Sequence, residues 1–276
     1  MPILYLCIMT VFPNSLMLLQ EELIHHFDVG LAIKPLLALV YQLDIIDSEV
    51  TLIFYLSLHG DIVHTIGPSL DRKILHIDED LFLTKPAIVL SRVAAALQKA
   101  KRIYARNTTL TRIDKNQAMS FQEGNHLQAA LPGKYRYGLF YQQELVSMAV
   151  FSGGRHMRDQ PTTYRSFELL RFCHKTGVLV VGGLSKLIQG MMKQFRPDDV
   201  MTYVDRDWSD GTVYSRLGFD YSGMTPPQLF YIEPITRHRY DKKTYLTKGV
   251  LDKHDMSATA CHKLSNLGSI KMRYRV

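Results

Sequence analysis

The 276-residue sequence predicts a mixed fold of strands and helices, α+β or α/β in class, built from two units. Residues 169–195 read as an apolar strand, a glycine turn and a helix whose apolar positions repeat every three or four residues. Residues 135–141 and 144–151 read as strands joined by a two-residue turn, which is typical of an antiparallel hairpin. A hydrophobic content of 46% is sufficient for a large core.

The charge of the chain is unevenly distributed. Residues 1–75 contain three Lys or Arg and eight Asp or Glu, whereas the whole chain has a formal net charge of +7, so the remaining residues carry +12. This asymmetry predicts a small N-terminal α/β unit, residues 1–100, followed by a second domain, residues 101–276. It also predicts that any contact with a polyanion lies on the second domain.

In the N-terminal unit, apolar patterns alternate with turn residues. The opening stretch, residues 1–19, predicts a buried strand followed by a turn and is too short and interrupted to span a membrane. Residues 21–43 predict two short helices, because a glycine and a proline interrupt the apolar pattern. Residues 50–58 and 73–77 predict strands, and the alanine-rich residues 85–100 predict a helix that links the two units.

The second unit contains a turn suited to anion binding. Gly182 and Gly183 stand just before the amphipathic helix, where glycine turns without a Cβ penalty and the first helical amides lack carbonyl partners. Such amides bind phosphate well, although two glycines that open a helix also occur as plain structure. The candidate phosphate-binding residues are Val181, Gly182, Gly183, Leu184 and Ser185.

Before this turn, residues 102–114 alternate like a strand and residues 115–127 predict a helix. Residues 152–165 form a basic, glycine-containing loop. Arg155 in this loop is a candidate contact to a phosphate-bearing partner, and simple solvation of the loop is the alternative.

A second motif follows the helix. Residues 199–204 alternate like a strand, and Ser209 or Asp210 can cap a short helix that ends at the glycine of Tyr-Ser-Arg-Leu-Gly-Phe, residues 214–219. The two segments together resemble the GNAT family of acyl-CoA-dependent N-acetyltransferases, in which strand, phosphate-cradling turn, helix, strand and helix end in Y-x-x-L-G-F. The resemblance implies a mixed, mostly antiparallel sheet flanked by helices, and acetyl-CoA as the cofactor.

The resemblance also implies roles for individual residues. Tyr214 matches the family tyrosine that protonates the departing thiolate of coenzyme A, with packing on the helix face as the alternative. Glu168 lies on the preceding strand, where several family members place a general base, with a salt bridge as the alternative. The family turn reads Q/R-x-x-G-x-G/A, and here Val180 stands at the Gln/Arg position, so the side-chain element of that motif is absent.

Three further residues are candidates by their place in that fold. His126 ends the helix that lines the acceptor side, where a helix cap is the alternative. Asp205 follows the strand that diverges from residues 169–174 to open the cofactor cleft, and it can orient or deprotonate an amine. Trp208 can stack on a base or a ring. For these last two residues the alternative is that they cap the next helix and close the core.

A closer resemblance is to a phage and mobile-element group of GNAT-like proteins. Phrases similar to R-I-Y-A-R-N, N-H-L-Q, Y-x-L-L-R-F-C-x-K, V-V-G-G-x-S-K-L and Y-x-D-R-x-W occur here in the same order between residues 102 and 208, and the resemblance covers roughly residues 76–276. In that group the domain commonly follows a nuclease domain, and its own activity is unassigned. The resemblance therefore implies an inactive nuclease remnant in residues 1–75, with an unrelated small α/β domain as the alternative.

The three cysteines, Cys7, Cys173 and Cys261, lack the spacing of a zinc site and favour a reducing, cytoplasmic location, so no metal site is predicted. Two functions remain open at this point. One is an acyl-CoA-dependent N-acyltransferase for an unknown amine acceptor, which Tyr214 favours. The other is a non-catalytic module that binds nucleic acid through its basic surface, which Val180 favours.

Overall fold

The computed structural model describes residues 13–65, 72–156, 161, 163–247 and 261–276. Residues 1–12 of the predicted opening strand lie outside the described residues, as do 157–160 and 162 of the basic loop. The elements of the N-terminal part are, in chain order, α1 Asn14–Phe27, β1 Leu31–Leu37, β2 Val40–Ile45, β3 Val50–Tyr55, β4 Ile62–Val63, β5 Lys73–Asp78, α2 Glu79–Thr84 and α3 Pro86–Ala96.

The second part contains most of the strands. Its elements are β6 Lys101–Tyr104, β7 Thr109–Arg112, α4 Lys115–Asn125, β8 Tyr135–Tyr141, β9 Glu144–Phe151, β10 Arg155–His156, β11 Arg165–His174, β12 Val178–Val181, α5 Gly183–Phe195, β13 Asp199–Asp205, α6 Thr212–Arg216, β14 Asp220–Met224, β15 Leu229–Ile232, β16 Arg239–Asp241, α7 Lys242–Thr247, β17 His262–Ser265 and β18 Ser269–Arg275. Among the helices that the structure describes, none is long and apolar enough to cross a membrane.

The prediction of two short helices over residues 21–43 is wrong. The region is the end of α1 followed by the β1–β2 hairpin, and residues 14–19 are already helical rather than part of a strand and turn. α1 ends at Asp28, which adopts a left-handed conformation with φ 47°. Pro35 lies in β1, an edge strand of its sheet, where a residue without an N–H group is tolerated.

Most other predicted elements are confirmed, with ends that differ by a few residues. They are β3, β5, α3, α4, the β8–β9 hairpin, β11, α5, β13 and α6. The predicted strand 102–114 is divided by a 3₁₀ turn, Ala105–Asn107, into β6 and β7, which belong to different sheets. Strand β11 is also not followed directly by α5 as predicted, because the chain turns at Gly177, with φ 78°, and β12 pairs with β6.

The largest sheet has the strand order β14-β18-β13-β11-β9-β8-β7, with β10 paired to β11. All its neighbouring strands are antiparallel except β11 and β13, which are parallel. Alternate residues of β9 face opposite sides: Phe151 packs with Leu187 of α5, and Met148 packs with Ala118 of α4. The predicted fold class, a mixed and mostly antiparallel sheet between helices, is therefore confirmed.

The other described strands form two four-stranded sheets and the two-stranded sheet β12-β6. One four-stranded sheet has the order β1-β2-β3-β5, and the other has the order β16-β15-β17-β4. The second of these joins a strand from residues 62–63 to strands from residues 229–265, so the chain returns to its N-terminal part. Leu127 and Trp208 are buried in the hydrophobic cluster formed by α1, α3 and the N-terminal sheet. The N-terminal and C-terminal parts thus share a hydrophobic core.

Candidate functional site

The parallel strands β11 and β13 separate along their length. They pair only from Ser166 with Asp199 to Leu169 with Thr202, although β11 continues to His174 and β13 to Asp205. The last link between them is the Thr202 hydroxyl, which donates a hydrogen bond to the Leu169 carbonyl at 3.1 Å. We call the space between the unpaired ends the β11/β13 cleft.

The turn before α5 exposes backbone amides as predicted for a phosphate site. Gly182 is the N-cap, with φ 77°, a conformation that favours glycine, and no side chain caps the helix. Among the described residues, no acceptor pairs with the amides of Gly183, Leu184 or Ser185. Val181 and Gly182 are exposed, so the turn is open to a ligand, whereas the side chain of Leu184 is buried beneath it.

The structure also explains the missing Gln/Arg side chain in this turn. Val180 is buried in the cluster under the sheet, and a Cβ on Gly183 would approach the Val180 Cβ to 3.1 Å. A long polar side chain at position 180 would therefore point into the core rather than toward a ligand. Any phosphate at this turn would be held by backbone amides alone.

Tyr214 is positioned by the residues of its own motif. Phe219 is buried and meets the Tyr214 ring edge to face at 5.6 Å, while Gly218, with φ 89°, lets the chain reverse between them. Burial raises the pKa of Tyr214 to about 12, and Thr202 and Arg92 partly oppose this shift. Tyr214 is therefore neutral at pH 7 and retains a proton to donate.

A residue from the N-terminal part enters this site: Arg92 of α3. Its guanidinium carbon lies 4.5 Å from the centroid of the Trp208 ring. Burial lowers the pKa of Arg92, whereas Asp205, Tyr214 and Cys173 act in the opposite direction. Arg92 therefore lies near a group on each of the separated strands, Asp205 on β13 and Cys173 on β11. We place it at the open end of the β11/β13 cleft.

Two contacts hold α3 in this position. The Gly177 amide, in the turn after β11, donates a hydrogen bond to the Ser91 hydroxyl at 2.8 Å. At the other end of the helix, the Lys85 ammonium donates to the carbonyls of His126 and Leu127 at 3.2 and 2.7 Å. The helix that was predicted only as a linker is therefore fixed between the end of α4 and the end of β11.

Asp205 ends β13 at the cleft. Burial and the neighbouring Asp207 raise the pKa of Asp205 to about 6, and Arg92 partly opposes this shift. A carboxylate with such a pKa is ionised at pH 7 but accepts a proton more readily than an exposed aspartate. Trp208, three residues later, is buried with its ring against Arg92, and its backbone amide donates to the Asp205 carbonyl at 3.2 Å.

His126 lies at the C-terminal end of α4. Burial, followed by the positive charges of Arg92 and Arg171, lowers the pKa of His126 to about 3. The neutral ring accepts a hydrogen bond from the Gln128 amide on Nδ1 at 3.1 Å. Its proton is therefore on Nε2, which leaves a neutral donor for a ligand.

Glu168 and Arg155 form an ion pair with each other, at 3.4 Å. Glu168 lies on β11 beside Met201, where the two strands are still paired, and thus before the cleft opens. Arg155 remains largely exposed, with 65% of its side chain accessible. The structure brings together His126, Asp205, Trp208 and Tyr214 around Arg92. The Glu168–Arg155 pair lies beside that group, and the charge of Glu168 acts on Arg171.

Arg92 was not predicted as a site residue. In the sequence it is one polar position in an alanine-rich helix, and nothing in that pattern separates it from a solvated arginine. Cys173, also at the cleft, has its pKa raised to about 12 by burial, so it remains a thiol at neutral pH. Among the described residues, no group of three or more His, Cys, Asp or Glu is arranged to hold a metal ion.

A second polar cluster lies next to this site, which we call the Asp78 network. His64 contacts Asp78 at 2.8 Å through Nε2 and Asp207 at 3.0 Å through Nδ1. The Arg239 guanidinium donates to Asp78 at 2.7 Å and to both oxygens of Asp80 at 2.7 and 2.8 Å. Every charge in this network has a partner.

The turn Asp205–Trp208 joins the two clusters. The Asp207 side chain enters the Asp78 network, and the Asp207 carbonyl accepts a hydrogen bond from the His76 amide at 2.8 Å. Asp205 and Trp208, on either side of it, face Arg92. The network therefore positions one wall of the cleft.

No family model and no curated protein matches the chain. Solved structures that resemble it include a histone acetyltransferase HPA2-related acetyltransferase from Corynebacterium glutamicum (13% identity, 51% of this chain and 65% of that chain covered, TM-score 0.30). A second is a GNAT family acetyltransferase from Elizabethkingia anophelis with acetyl-CoA bound (11% identity, 62% of this chain and 99% of that chain covered, TM-score 0.32). A third is Arabidopsis thaliana Naa50 with a bisubstrate analogue (9% identity, 62% of this chain and 99% of that chain covered, TM-score 0.39). The chain spans slightly less than two thirds of the Corynebacterium protein. Matches of this strength do not assign a family.

Proposed function

We propose that this protein is an acyl-CoA-dependent N-acyltransferase that uses acetyl-CoA and acts on an amine. The observation that carries the proposal is the separation of β11 from β13 after Leu169 and Thr202, with Tyr214 and Asp205 beside the opening. A cleft between two parallel strands lets a ligand reach backbone groups that a continuous sheet would occupy. The amide turn before α5 stands in the same unit.

The residues present fit a cofactor with phosphate groups. The amides of Gly183, Leu184 and Ser185 have no acceptor among the described residues and point outward from a helix N-terminus, which attracts anions. Acetyl-CoA bound there would supply an activated acyl group. The sequence contributes no cation to the turn itself, because position 180 is a buried valine.

Asp205 and Tyr214 divide the proton transfers between them. Asp205, with its pKa raised to about 6, takes a proton from the acceptor amine directly or through a water molecule. Tyr214, neutral at pH 7, donates a proton to the departing sulfur. Glu168 is the alternative base, and its carboxylate is paired with Arg155.

The function is tested by titrating the purified protein with acetyl-CoA in a calorimeter. Ser185→Glu places a carboxylate in the first turn of α5, where a negative charge stabilises the helix while repelling phosphate. We expect saturable binding to the unchanged protein and at least a tenfold loss of affinity in Ser185→Glu. Gly183→Glu is a poorer test because Gly183 packs tightly on Val180. Ser222→Glu, on the exposed strand β14, is the matched control. Absence of binding to the unchanged protein would refute the proposal.

A non-catalytic role on nucleic acid is the second candidate. Its support is the buried Val180, which leaves the turn without the side chain that the family motif supplies, and the net charge of +12 after residue 75. Binding of this kind falls steeply with salt concentration, because phosphate contacts release counterions. Gel-shift measurements with duplex and single-stranded DNA and with RNA at several salt concentrations test it, and absence of binding at low salt would exclude it.

We also propose, on the five sequence phrases, that the chain belongs with the phage and mobile-element GNAT-like proteins and that residues 1–100 are an inactive nuclease remnant together with its linker helix. Asp78 at the end of β5 and Asp80 in α2 support inactivity, since Arg239 binds both carboxylates instead of leaving them free for a metal ion. We expect no cleavage of DNA with magnesium or manganese. Cleavage that is lost in Asp78→Asn would contradict this part of the proposal.

A further inference from the structure

The guanidinium of Arg92 lacks hydrogen-bond partners. Among the described residues, no carbonyl, hydroxyl or carboxylate accepts a hydrogen bond from it, and no carboxylate forms a salt bridge with it. In the described part of the chain, the aromatic ring against the guanidinium is that of Trp208, with 4.5 Å between the guanidinium carbon and the ring centroid. The side chain is partly buried, so water reaches it only in part.

Stacking on Trp208 does not satisfy this group. A cation over an aromatic ring is attracted to the face of the ring, but this contact leaves the five N–H donors at the edge of the guanidinium without acceptors among the described residues. The Trp208 ring instead covers one face of the guanidinium and leaves its edge available, which is the geometry that binds planar or tetrahedral anions through two parallel hydrogen bonds.

We propose that Arg92 binds an oxyanion, the carboxylate or phosphate group of a substrate, at the open end of the β11/β13 cleft. This proposal rests on the proposed function, because it takes the ligand to be a substrate of the acyltransferase. The active site would then contain residues from both parts of the chain. The helix α3 of the N-terminal part supplies the anion-binding residue, and the second domain supplies Asp205 and Tyr214.

The charges around Arg92 favour such a ligand. Arg171 is a second cation in the same region, where it lowers the pKa of His126 together with Arg92. Neutral His126 and the protonated thiol of Cys173 contribute no negative charge to compete with the ligand. Asp205 is the nearby anion, but among the described residues it forms no salt bridge with Arg92.

The chain contains a single tryptophan, Trp208, and this makes the site directly observable. An anion that binds the Arg92 edge changes the environment of the stacked indole and therefore its fluorescence. The experiment titrates the full chain with sodium acetate, sodium phosphate, coenzyme A and pantetheine, at constant ionic strength set with sodium chloride. Acetate and phosphate test the oxyanion itself, and coenzyme A against pantetheine, which carries no phosphate, tests whether the cofactor is its source.

We expect a saturable fluorescence change with at least one of acetate, phosphate or coenzyme A. Arg92→Gln should weaken that binding at least tenfold, and Arg92→Lys should weaken it less, because lysine keeps the charge but not the paired donors. Arg102→Gln is the matched control, because Arg102 is exposed and bonds only to the side chain of Gln98 in the described structure. If Arg92→Gln fails to fold, Arg92→Lys decides the question.

Equal affinity in the unchanged protein and in the folded Arg92 variants would overturn the proposal, as would the absence of any saturable change. This failure is distinct from failure of the proposed function. Calorimetric binding of acetyl-CoA that depends on Ser185 but not on Arg92 would keep the acyltransferase and remove the oxyanion site. A response to acetate or phosphate that requires Arg92, without binding of acetyl-CoA, would keep the oxyanion site and remove the acyltransferase.

Discussion

The Asp78 network and the β11/β13 cleft contain the same kinds of charged side chain, but these side chains are paired in the network and incompletely paired in the cleft. In the network, Arg239 binds two carboxylates and His64 bridges two carboxylates, all at hydrogen-bond distance. In the cleft, Arg92 has a ring on one face and, among the described residues, no acceptor at its edge, and Asp205 has a raised pKa. Complete pairing indicates a structural role, and incomplete pairing indicates a place for a ligand.

The two regions also differ in what their burial does to the pKa values of carboxylates. Arg239 and His64 hold the pKa of Asp78 far below its usual range despite burial, so that group stays ionised in the fold. No such partner holds Asp205, and burial, reinforced by the charge of Asp207, dominates instead. A carboxylate held as a permanent anion cannot exchange protons near neutral pH, whereas one with a pKa of about 6 can.

Arg239→Met should cause the largest loss of stability among the variants that compare the two regions. The change leaves Asp78 and Asp80 buried without their cation, which we expect to lower the free energy of unfolding by about 3–5 kcal/mol. Urea unfolding followed by circular dichroism measures it. Arg237→Met, at an exposed position two residues earlier, is the control and should stay within about 0.5 kcal/mol of the unchanged protein. Equal losses in the two variants would mean that the network is not structural.

Loss of the cleft acid or base should reduce catalysis with little effect on folding. We expect Tyr214→Phe and Asp205→Asn each to lower acetyl transfer at least about a hundredfold, the lower end of the range for general acid–base catalysis. Tyr203→Phe, at an exposed position on β13, is the control. Release of free coenzyme A in the presence of an amine acceptor measures the rate. The rate should also fall below about pH 6, where Asp205 is protonated. A full rate in both variants would place the chemistry elsewhere.

Stability should depend on pH through His64. Two carboxylates raise its pKa to about 9 against the opposing effect of burial, whereas the unfolded value is close to 6.5. The folded protein therefore binds more protons between these values, and this stabilisation, complete below pH 6.5, disappears as the pH rises through 9. We expect the free energy of unfolding to fall by roughly 2–3 kcal/mol between pH 6.5 and 9. In His64→Gln this decrease should be absent, and an unchanged slope would show that another group is responsible.

On the acid side, His76 should produce the opposite slope. Burial lowers its pKa to about 4, so the unfolded chain binds the extra proton and stability decreases as the pH falls from 6.5 toward 4. The two histidines, which stack within 5.5 Å of each other, thus define a maximum of stability near pH 6.5.

Arg92→Met should cause the smallest change in the free energy of unfolding. Methionine keeps the apolar stem against Trp208 and removes a guanidinium that has no acceptor, so we expect the free energy of unfolding to change by less than about 1 kcal/mol or to increase. The same urea experiment compares it with Arg239→Met. A loss as large as that of Arg239→Met would mean that Arg92 has a structural role, and the contrast between the two clusters would fail.

Much of the fold was predictable because it depends on local patterns. The period of α5, the alternation of β8 and β9, and the glycine that ends α6 each reflect burial or backbone geometry within one segment. The wrong prediction of helices arose where the spacing of apolar residues fits both a helix and a strand. Residues 31–43 place leucines at spacings that suit a helix, and only pairing of β1 with β2 makes them a hairpin.

The candidate site was predictable only in part. Tyr214, Asp205 and the turn before α5 were found because each follows a strand or opens a helix in a recognisable order. Arg92 could not be found in this way, since its partners Trp208, Asp205 and Tyr214 lie more than a hundred residues later in the chain. The network of His64, Asp78 and Arg239 escaped prediction for the same reason.

The amino-acid sequence by itself determined the periods of its helices and strands, the turn that exposes the amides before α5 and the Tyr214 motif, because each depends on neighbours a few residues away. The tertiary structure alone decided which charges are paired. Docking of α3 against the end of β11 puts Arg92 beside Trp208, and the return of the chain to β4 brings Arg239 to Asp78 and Asp80. Whether a charge is satisfied or available depends on distances between remote segments, and those distances exist only in the folded chain.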